Sequence, residues 1–208
     1  MKITRSLKET ICALSMIATM HASYANEIYI EQVGDDSTIT LKQAGSNNTI
    51  GDALTPAFIG GGQNTVYIEQ SGSSNQLAML VNGAGTNITS VVTGDSNQQT
   101  ITCGTSVSAS CSGSTITHTI TGDSNDVQSI LGANGGSHTS NITVLGDYNH
   151  VTHQSSGSGA NSATINVTGS GSSATPSAIS VTQSGMNNHS ATVNATGNNL
   201  NISIIQSD

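Results

Sequence analysis

The feature that most constrains the fold of this chain is a short internal repeat. Residues 27–50, EIYIEQVGDDSTITLKQAGSNNTI, contain one pattern twice. Counted from its first apolar residue, the pattern has apolar residues at 0 and +2, Gln or an apolar residue at +4, Gly at +6 and Asn at +9. Repetition of so short a unit is typical of solenoid proteins. Units begin at residues 28, 39, 50, 66, 77, 88, 99, 116, 127, 140, 151, 163, 179, 191 and 202.

Each unit predicts a short strand followed by an arc. Alternation places positions 0, +2 and +4 on one face of the strand. Gly supplies the positive φ of the arc, and Asn tolerates it. Because one such strand cannot bury its face alone, two units pack back to back as a coil of about 22 residues. We therefore predict an all-β fold, a β-solenoid of about seven coils over residues 26–208 that is able to stack as cross-β amyloid.

The spacing of the units predicts two different edges. The long spacings after residues 50, 99, 127, 151 and 179 all fall on one side of the coil, whereas the opposite arcs stay short except after residue 163. One edge should therefore carry most of the insertions. The predicted arc residues are Gly34, Gly45, Asn48, Gly72, Asn75, Gly94, Asn97, Gly122, Asn125, Gly146, Asn149, Gly185 and Asn188.

Glutamine at +4 predicts a hydrogen-bonded column inside the solenoid. A buried amide costs free energy unless it is bonded, and amides stacked at one coil spacing can bond one another. The candidates lie near the two ends of the repeat array: Gln32, Gln43, Gln70, Gln183 and Gln206. One hypothesis is that Gln206 of one copy meets Gln32 of the next. The other is that Gln survives where the repeat has drifted least.

The first 25 residues predict a secretory signal peptide. A basic start with Lys2, Arg5 and Lys8 precedes an apolar run from residue 11 to 20, and Ser23-Tyr24-Ala25 fits a cleavage site. We expect the mature chain to begin at Asn26. Only Lys42 then remains against eleven acidic residues, a net charge near −10. This acidic balance argues against binding to nucleic acid or to anionic lipid.

Composition agrees with a narrow β-fold. Gly, Ser, Thr and Asn make up about half of the chain, and aromatic residues only 2%. Such polarity is also found in disordered chains, but disorder does not maintain an alternation of period two. The terminal segments EIYIEQ and ISIIQ are apolar, lack Pro and have no flanking cap helix, so both ends of the solenoid should present open strand edges.

Two groups of side chains suggest a local role in the arcs. Cys103 and Cys111 flank a short insertion, and an oxidising compartment would favour a disulfide between them over two free thiols. Asp95, Asp123 and Asp147 occupy the same +7 position in three units. Turn formation is the simpler interpretation of these acids, and a row of Ca²⁺ ligands is the alternative.

Other patterns carry little functional signal. The Thr-x-Thr segment of residues 115–121 would suggest an ice-binding array only if most coils repeated it, so surface β-propensity explains it better. Scattered polar residues also explain His118, His138, His150 and His153 better than a metal site does. No nucleophile–base–acid set, phosphate loop or acid pair is found, so we expect neither an enzyme nor a cofactor.

Four strong copies resemble the repeats of curlins, the subunits of bacterial curli amyloid fibres. They are IYIEQVGDDS, ITLKQAGSNN, VYIEQSGSSN and ISVTQSGMNN, supported by the arcs at residues 94–97, 122–125 and 146–149. The resemblance implies a major, minor or nucleating subunit of secreted, cell-surface fibres that serve biofilm matrix, adhesion and colonisation. It also implies other curlin-like subunits and an outer-membrane secretion pore as partners. The competing hypothesis is a monomeric β-solenoid adhesin whose insertion edge binds a surface.

Overall fold

A computed structural model describes residues 14–19, 25–104, 111–133 and 137–208. The described chain is all-β and consists of two parallel sheets. Sheet A contains, in spatial order, β1 (Leu14–Thr19), β4 (Thr38–Ser46), β7 (Thr65–Ser73), β9 (Asn87–Thr93), β11 (Thr115–Thr121), β13 (Thr139–Leu145), β15 (Ser162–Thr168) and β17 (Ser190–Thr196). Sheet B contains β2 (Glu27–Ile28), β3 (Ile30–Val33), β5 (Thr49–Ile50), β6 (Ala57–Gly60), β8 (Gln76–Asn82), β10 (Gln98–Thr102), β12 (Asp126–Ala133), β14 (Asn149–Gly157), β16 (Ser177–Ser184) and β18 (Asn201–Ser207).

The chain alternates between the two sheets, so that each strand pairs with the strand one coil away. This arrangement confirms the predicted β-solenoid of about seven coils. The predicted register is also present. In sheet A, Ile39 pairs with Val66 and Val66 with Ile88. In sheet B, Val127 pairs with Val151, and the last two strands align Ile179 with Ile202.

One insertion lies in a different place from the one predicted. The segment after residue 50 does not lengthen an arc but interrupts a strand of sheet B, separating β5 from β6. Gly51, at positive φ, starts this excursion, and Asp52 accepts hydrogen bonds from the backbone amides of Leu54 and Thr55 (both 2.7 Å). The strand resumes at Ala57, which realigns Ile59 with Gln32. The spacing between repeat units showed that extra residues follow residue 50, but it did not show where the chain leaves sheet B.

The core is a thin layer of side chains between the two sheets. Along β11 and β15 every second residue is buried, as the period-two pattern requires. The buried apolar residues form two separate clusters. Polar residues occupy inward positions between these clusters: Ser90, Gln99, His118, Ser129, Ser140 and His153.

The first described strand, β1, lies within the predicted signal peptide. Its backbone pairs in parallel with β4, from Leu14 opposite Ile39 to Thr19 opposite Ala44. Strand β1 therefore covers the first edge of sheet A, whereas β2 and β3 form the first edge of sheet B. Removal of residues 1–25 stays a prediction.

Candidate functional site

A column of stacked asparagines runs along the edge where the chain passes from sheet A to sheet B. The Asn75 side-chain oxygen accepts hydrogen bonds from the backbone and side-chain amides of Asn97 (both 3.0 Å). The side-chain amide of Asn97 also donates to the Gly122 carbonyl one coil further on (2.8 Å). Each buried asparagine thus joins three successive coils. The column consists of Asn26, Asn48, Asn75, Asn97, Asn125 and Asn149.

This column corrects the role assigned to the arc asparagines. We expected them to tolerate positive φ, but the positive φ belongs to the glycine at +6 and to the residue at +8, as in Gly94 (129°) and Ser96 (58°). Asn97 instead satisfies buried backbone groups. The repeated +9 spacing contained this signal, because a buried amide recurring at every coil requires bonded neighbours. Asn188, also predicted as an arc residue, is exposed and bonds the Ala160 amide (2.7 Å) outside the column.

The arc glycines are required by close contact between coils as well as by φ. A Cβ on Gly94 would lie 2.1 Å from the carbonyl oxygen of Gly122, and one on Gly122 would lie 2.2 Å from that of Gly146. No side chain fits at that separation. The same close approach recurs at Gly34, Gly45, Gly72, Gly146 and Gly169.

The predicted glutamines form two pairs at opposite ends of the solenoid. In sheet A the Gln43 amide donates to the Gln70 oxygen (2.9 Å), and in sheet B the Gln183 amide donates to the Gln206 oxygen (2.8 Å). Gln32 lies opposite Ile59 and donates to the Gly34 carbonyl (3.1 Å). Within one chain, therefore, Gln32 has no glutamine partner at the adjacent coil.

The acidic row acts on the backbone of the arcs. The Asp123 carboxylate accepts a hydrogen bond from the Asp95 amide (2.7 Å), and the Asp147 carboxylate accepts one from the Asp123 amide (2.8 Å). These contacts support the interpretation as turn residues. The C-terminal Asp208 bonds similarly to the amides of Met186 and Asn187 (both 3.1 Å). In the described residues, no group of three or more His, Cys, Asp or Glu side chains is arranged to hold a metal ion.

Cys103 and Cys111 form a disulfide, and both residues are buried at the insertion edge. Their pairing closes the loop after β10 and brings the chain back into register for β11. The backbone amides of Cys103 and Cys111 bond the carbonyls of Leu80 (2.9 Å) and Asn82 (3.1 Å) on the preceding coil. The disulfide therefore links two residues of this insertion whose backbone amides are both hydrogen-bonded to the preceding coil.

The four predicted histidines lie in different environments. His118 and His153 point into the core, and His138 is buried in the arc before β13. His150 faces outward and lies 2.9 Å from the Asp126 carboxylate. The sequence predicted four scattered polar residues and did not connect His118 with the buried His153. The Thr side chains of β11 lie on the outer face, where Asn141 and Val91 interrupt the adjacent rows.

The last coil exposes a face of the same composition as the first. Ile202, Ile204 and Gln206 of β18 are half-buried and occupy the inward positions that Ile28, Ile30 and Gln32 occupy in β2 and β3. No strand lies beyond β17 and β18 in the part of the chain that the structure describes. Two matching strand faces thus lie at opposite ends of sheet B.

Comparison with known proteins returned no relative. No family model, no curated protein and no solved structure matches the chain. Among the described residues, no helix is long and apolar enough to cross a membrane.

Proposed function

We propose that this protein is a structural subunit of a secreted, extracellular fibre, in which copies stack end to end and continue both sheets from one chain to the next. The observation that carries the proposal is the pair of matching faces of sheet B. An open edge offers unpaired backbone groups to another strand, and natural folds usually block such edges.

The hydrogen bonds of the C-terminal glutamines support this stacking. The Gln183 side-chain amide donates twice, to the Ser162 carbonyl (3.1 Å) and to the Gln206 oxygen (2.8 Å). The equivalent Gln206 amide donates to the Ser190 carbonyl (3.1 Å). The second N–H of the Gln206 amide corresponds to the N–H that Gln183 donates to Gln206 on the next coil. Gln32 of a following copy, placed one coil on, would receive it.

The apolar residues of the junction support the same register. Stacking would place Ile28 on Ile202 and Ile30 on Ile204, which buries side chains that are half-exposed in the single chain. The asparagine column would be interrupted, because Leu200 stands at its C-terminal position, after Ser177. The junction would thus rely on apolar contact, the glutamine bond and backbone pairing.

The resemblance to curlin repeats gives the fibre its biological setting. A curlin-like subunit would serve biofilm matrix, adhesion and surface colonisation on a bacterial cell, and would be exported through a dedicated outer-membrane pore together with other curlin-like subunits. The proposal assigns no enzymatic activity and no cofactor to the chain. A scaffolding role requires only the repeated hydrogen-bond columns and the two end faces.

Seeded assembly tests the proposal. Thioflavin T fluorescence would be followed on the full chain and on a chain that begins at Asn26, with and without preformed fibres, and the end point would be imaged by electron microscopy. We expect a lag phase that seeds abolish, and thin unbranched fibres. A folded protein that stays monomeric and dye-negative would contradict the proposal and favour the monomeric adhesin.

The glutamine junction has its own variant and control. Gln206→Met keeps the length of the side chain but removes its donor, so we expect slower seeded growth. Gln128→Met, on the outward face of β12, makes the same chemical change away from the junction and should leave growth unchanged. Equal rates for the two variants would show that the column does not cross between subunits.

A further inference from the structure

A connected polar cluster lies in the middle of the solenoid, where an apolar core would be expected. We name Ser90, Gln99, His118, Ser129 and Ser140 the central polar cluster. His118 is fully buried between its sheet neighbours Ser90 and Ile142. Its ring nitrogens contact the Gln99 oxygen (3.2 Å, from Nδ1) and the Ser129 hydroxyl (2.8 Å, from Nε2).

The hydrogen bonds of His118 are satisfied by a neutral imidazole ring. The Gln99 side-chain oxygen can only accept, so Nδ1 of His118 carries a proton, and the Ser129 hydroxyl, which is able to donate, satisfies Nε2 of the uncharged ring. Ser129 in turn accepts from Ser140 (2.7 Å), and the Ser90 hydroxyl also donates to Gln99 (2.8 Å). With the imidazole uncharged, both ring nitrogens of His118 are hydrogen-bonded, whereas the Gln99 side-chain amide nitrogen is buried without a hydrogen-bond partner.

A second buried imidazole lies on the adjacent coil. His153 pairs in register with Ser129 and Val181, and its Nε2 contacts the Gln183 oxygen (3.1 Å). Because that oxygen is also an acceptor, Nε2 carries the proton. The other ring nitrogen, Nδ1, is buried without a hydrogen-bond partner. Protonation there would create a buried N–H with nothing to receive it.

No carboxylate is available to stabilise a positive charge in this part of the core. Asp and Glu are absent from the buried residues of the described chain, and the titratable groups facing His118 and His153 are histidines. His118 faces His153, and His153 also faces His138. A positive charge on one of these imidazole rings therefore disfavours protonation of the neighbouring ring.

From this geometry we propose that the buried histidines are an acid switch, which destabilises the middle coils of the solenoid at mildly acidic pH, before the carboxylates begin to titrate. The histidines would be protonated as the coils open, because no carboxylate among the buried residues of the described chain would stabilise a charged imidazole in the folded interior. The inference concerns the single folded chain and does not depend on fibre assembly.

The direction of the pH effect follows from the shifted pKa values. Burial lowers the pKa of His118 to about 3 and that of His153 to about 4, against 6.5 ordinarily. Burial also lowers the pKa of His138. A group with a depressed histidine pKa contributes full stability above pH 6.5, and that stability is lost progressively as pH falls towards the folded pKa. Two such groups raise the unfolding equilibrium constant about a hundredfold per pH unit within that window.

Urea unfolding of the full chain at pH 7 and at pH 5 tests this inference. The protein concentration is kept below the one at which fibres assemble. We expect the wild-type midpoint to fall markedly at pH 5. The double variant His118→Gln/His153→Gln should lose most of this dependence, because glutamine does not titrate. His150→Gln, which changes the outward-facing histidine, is the matched control and should follow the wild type. Equal losses in the double variant and the wild type would overturn the inference.

A second measurement needs no variant and covers the case in which the double variant fails to fold. The pH dependence of wild-type unfolding between pH 6 and pH 5 reports the protons taken up on unfolding. We expect an uptake of about two protons, and about three if His138 contributes fully. Uptake below about one proton would show that these rings are already charged in the folded chain, and would refute the switch.

Discussion

At the residue scale, the fold depends on side chains that bond their own equivalents one coil away. Asn97 both donates to the preceding asparagine and accepts from the following one. The column ends at Asn149, whose side-chain oxygen is buried without a partner, because the arc after β15 contains an insertion and Ser177 takes the next position. Within the column, each asparagine satisfies buried polar groups of its neighbours, which would otherwise be left unpaired.

Removing one member of the column should therefore be costly. Asn97→Ala leaves the Gly122 carbonyl and the Asn125 amide without their partners inside the protein. We expect a loss of about 3 kcal/mol in the free energy of unfolding, measured by urea denaturation. Asn166→Ala, which removes an exposed bond to Asn194, is the control and should cost less than about 1 kcal/mol. Similar losses in the free energy of unfolding for both variants would mean that a buried bond of the column contributes no more than an exposed one.

At the scale of single elements, the insertions show how far a coil can vary without losing register. The loop that contains Cys103 and Cys111 leaves after β10, yet the next strand, β11, still aligns Ile116 with Ile88. The excursion between β5 and β6 likewise returns Ile59 to its column. Register is restored because the buried columns require it, and residues 52–55 of the insertion between β5 and β6 are exposed.

Reduction of the disulfide should destabilise the chain moderately. Cross-linking so short a loop contributes about 2.5 kcal/mol by chain entropy. We expect the urea midpoint of the wild type to fall when a reductant is added. The variant Cys103→Ala/Cys111→Ala should be less stable from the start and insensitive to reductant. A wild type that does not respond to complete reduction would contradict the prediction.

The first strand should affect assembly through its position on an edge. Because β1 pairs with six residues of β4, it covers the edge of sheet A that a preceding copy would occupy in a fibre. We expect the chain beginning at Asn26 to be extended by seeds faster than the full chain at equal concentration. Light scattering and sedimentation would measure this difference, and equal rates would show that β1 does not block the edge.

At the scale of the whole molecule, the two ends of sheet B have faces that resemble the interior of the solenoid. Ile204 occupies an inward position of the last coil, packs against the core and is half-buried, whereas its neighbour Ile205 points outward and is 74% exposed. The two isoleucines differ mainly in which surface they occupy. Variants at these two positions therefore distinguish stacking of chains along the solenoid axis from side-by-side contact between fibres.

Charge at the end face should stop growth. With Ile204→Lys, stacking would bury an unpaired ammonium at the junction, so we expect seeded elongation to fall at least tenfold. Ile205→Lys places the same charge on the outer surface and should elongate like the wild type. Circular dichroism and urea unfolding would verify that both variants fold. Loss of elongation in both, or in neither, would argue against end-to-end stacking.

The sequence by itself determined the local pattern of this protein. Period-two alternation and the Gly-x-x-Asn spacing predicted the strands, the parallel solenoid and the unit register, including Ile28, Ile39 and Ile202 as column positions. These features are local, because a strand face and an arc are encoded within about ten residues.

Apart from the glutamine pairs, which the +4 spacing predicts, only the tertiary structure decided which side chains bond one another across coils. Asn75 and Asn97, or His118 and Ser129, are brought together by stacking, and their hydrogen bonds depend on which group faces the next coil. The position of the insertion inside sheet B was decided in the same way, by the need to return Ile59 to its column. Buried polar groups take partners wherever the fold places them, so their bonding is a property of the packed molecule.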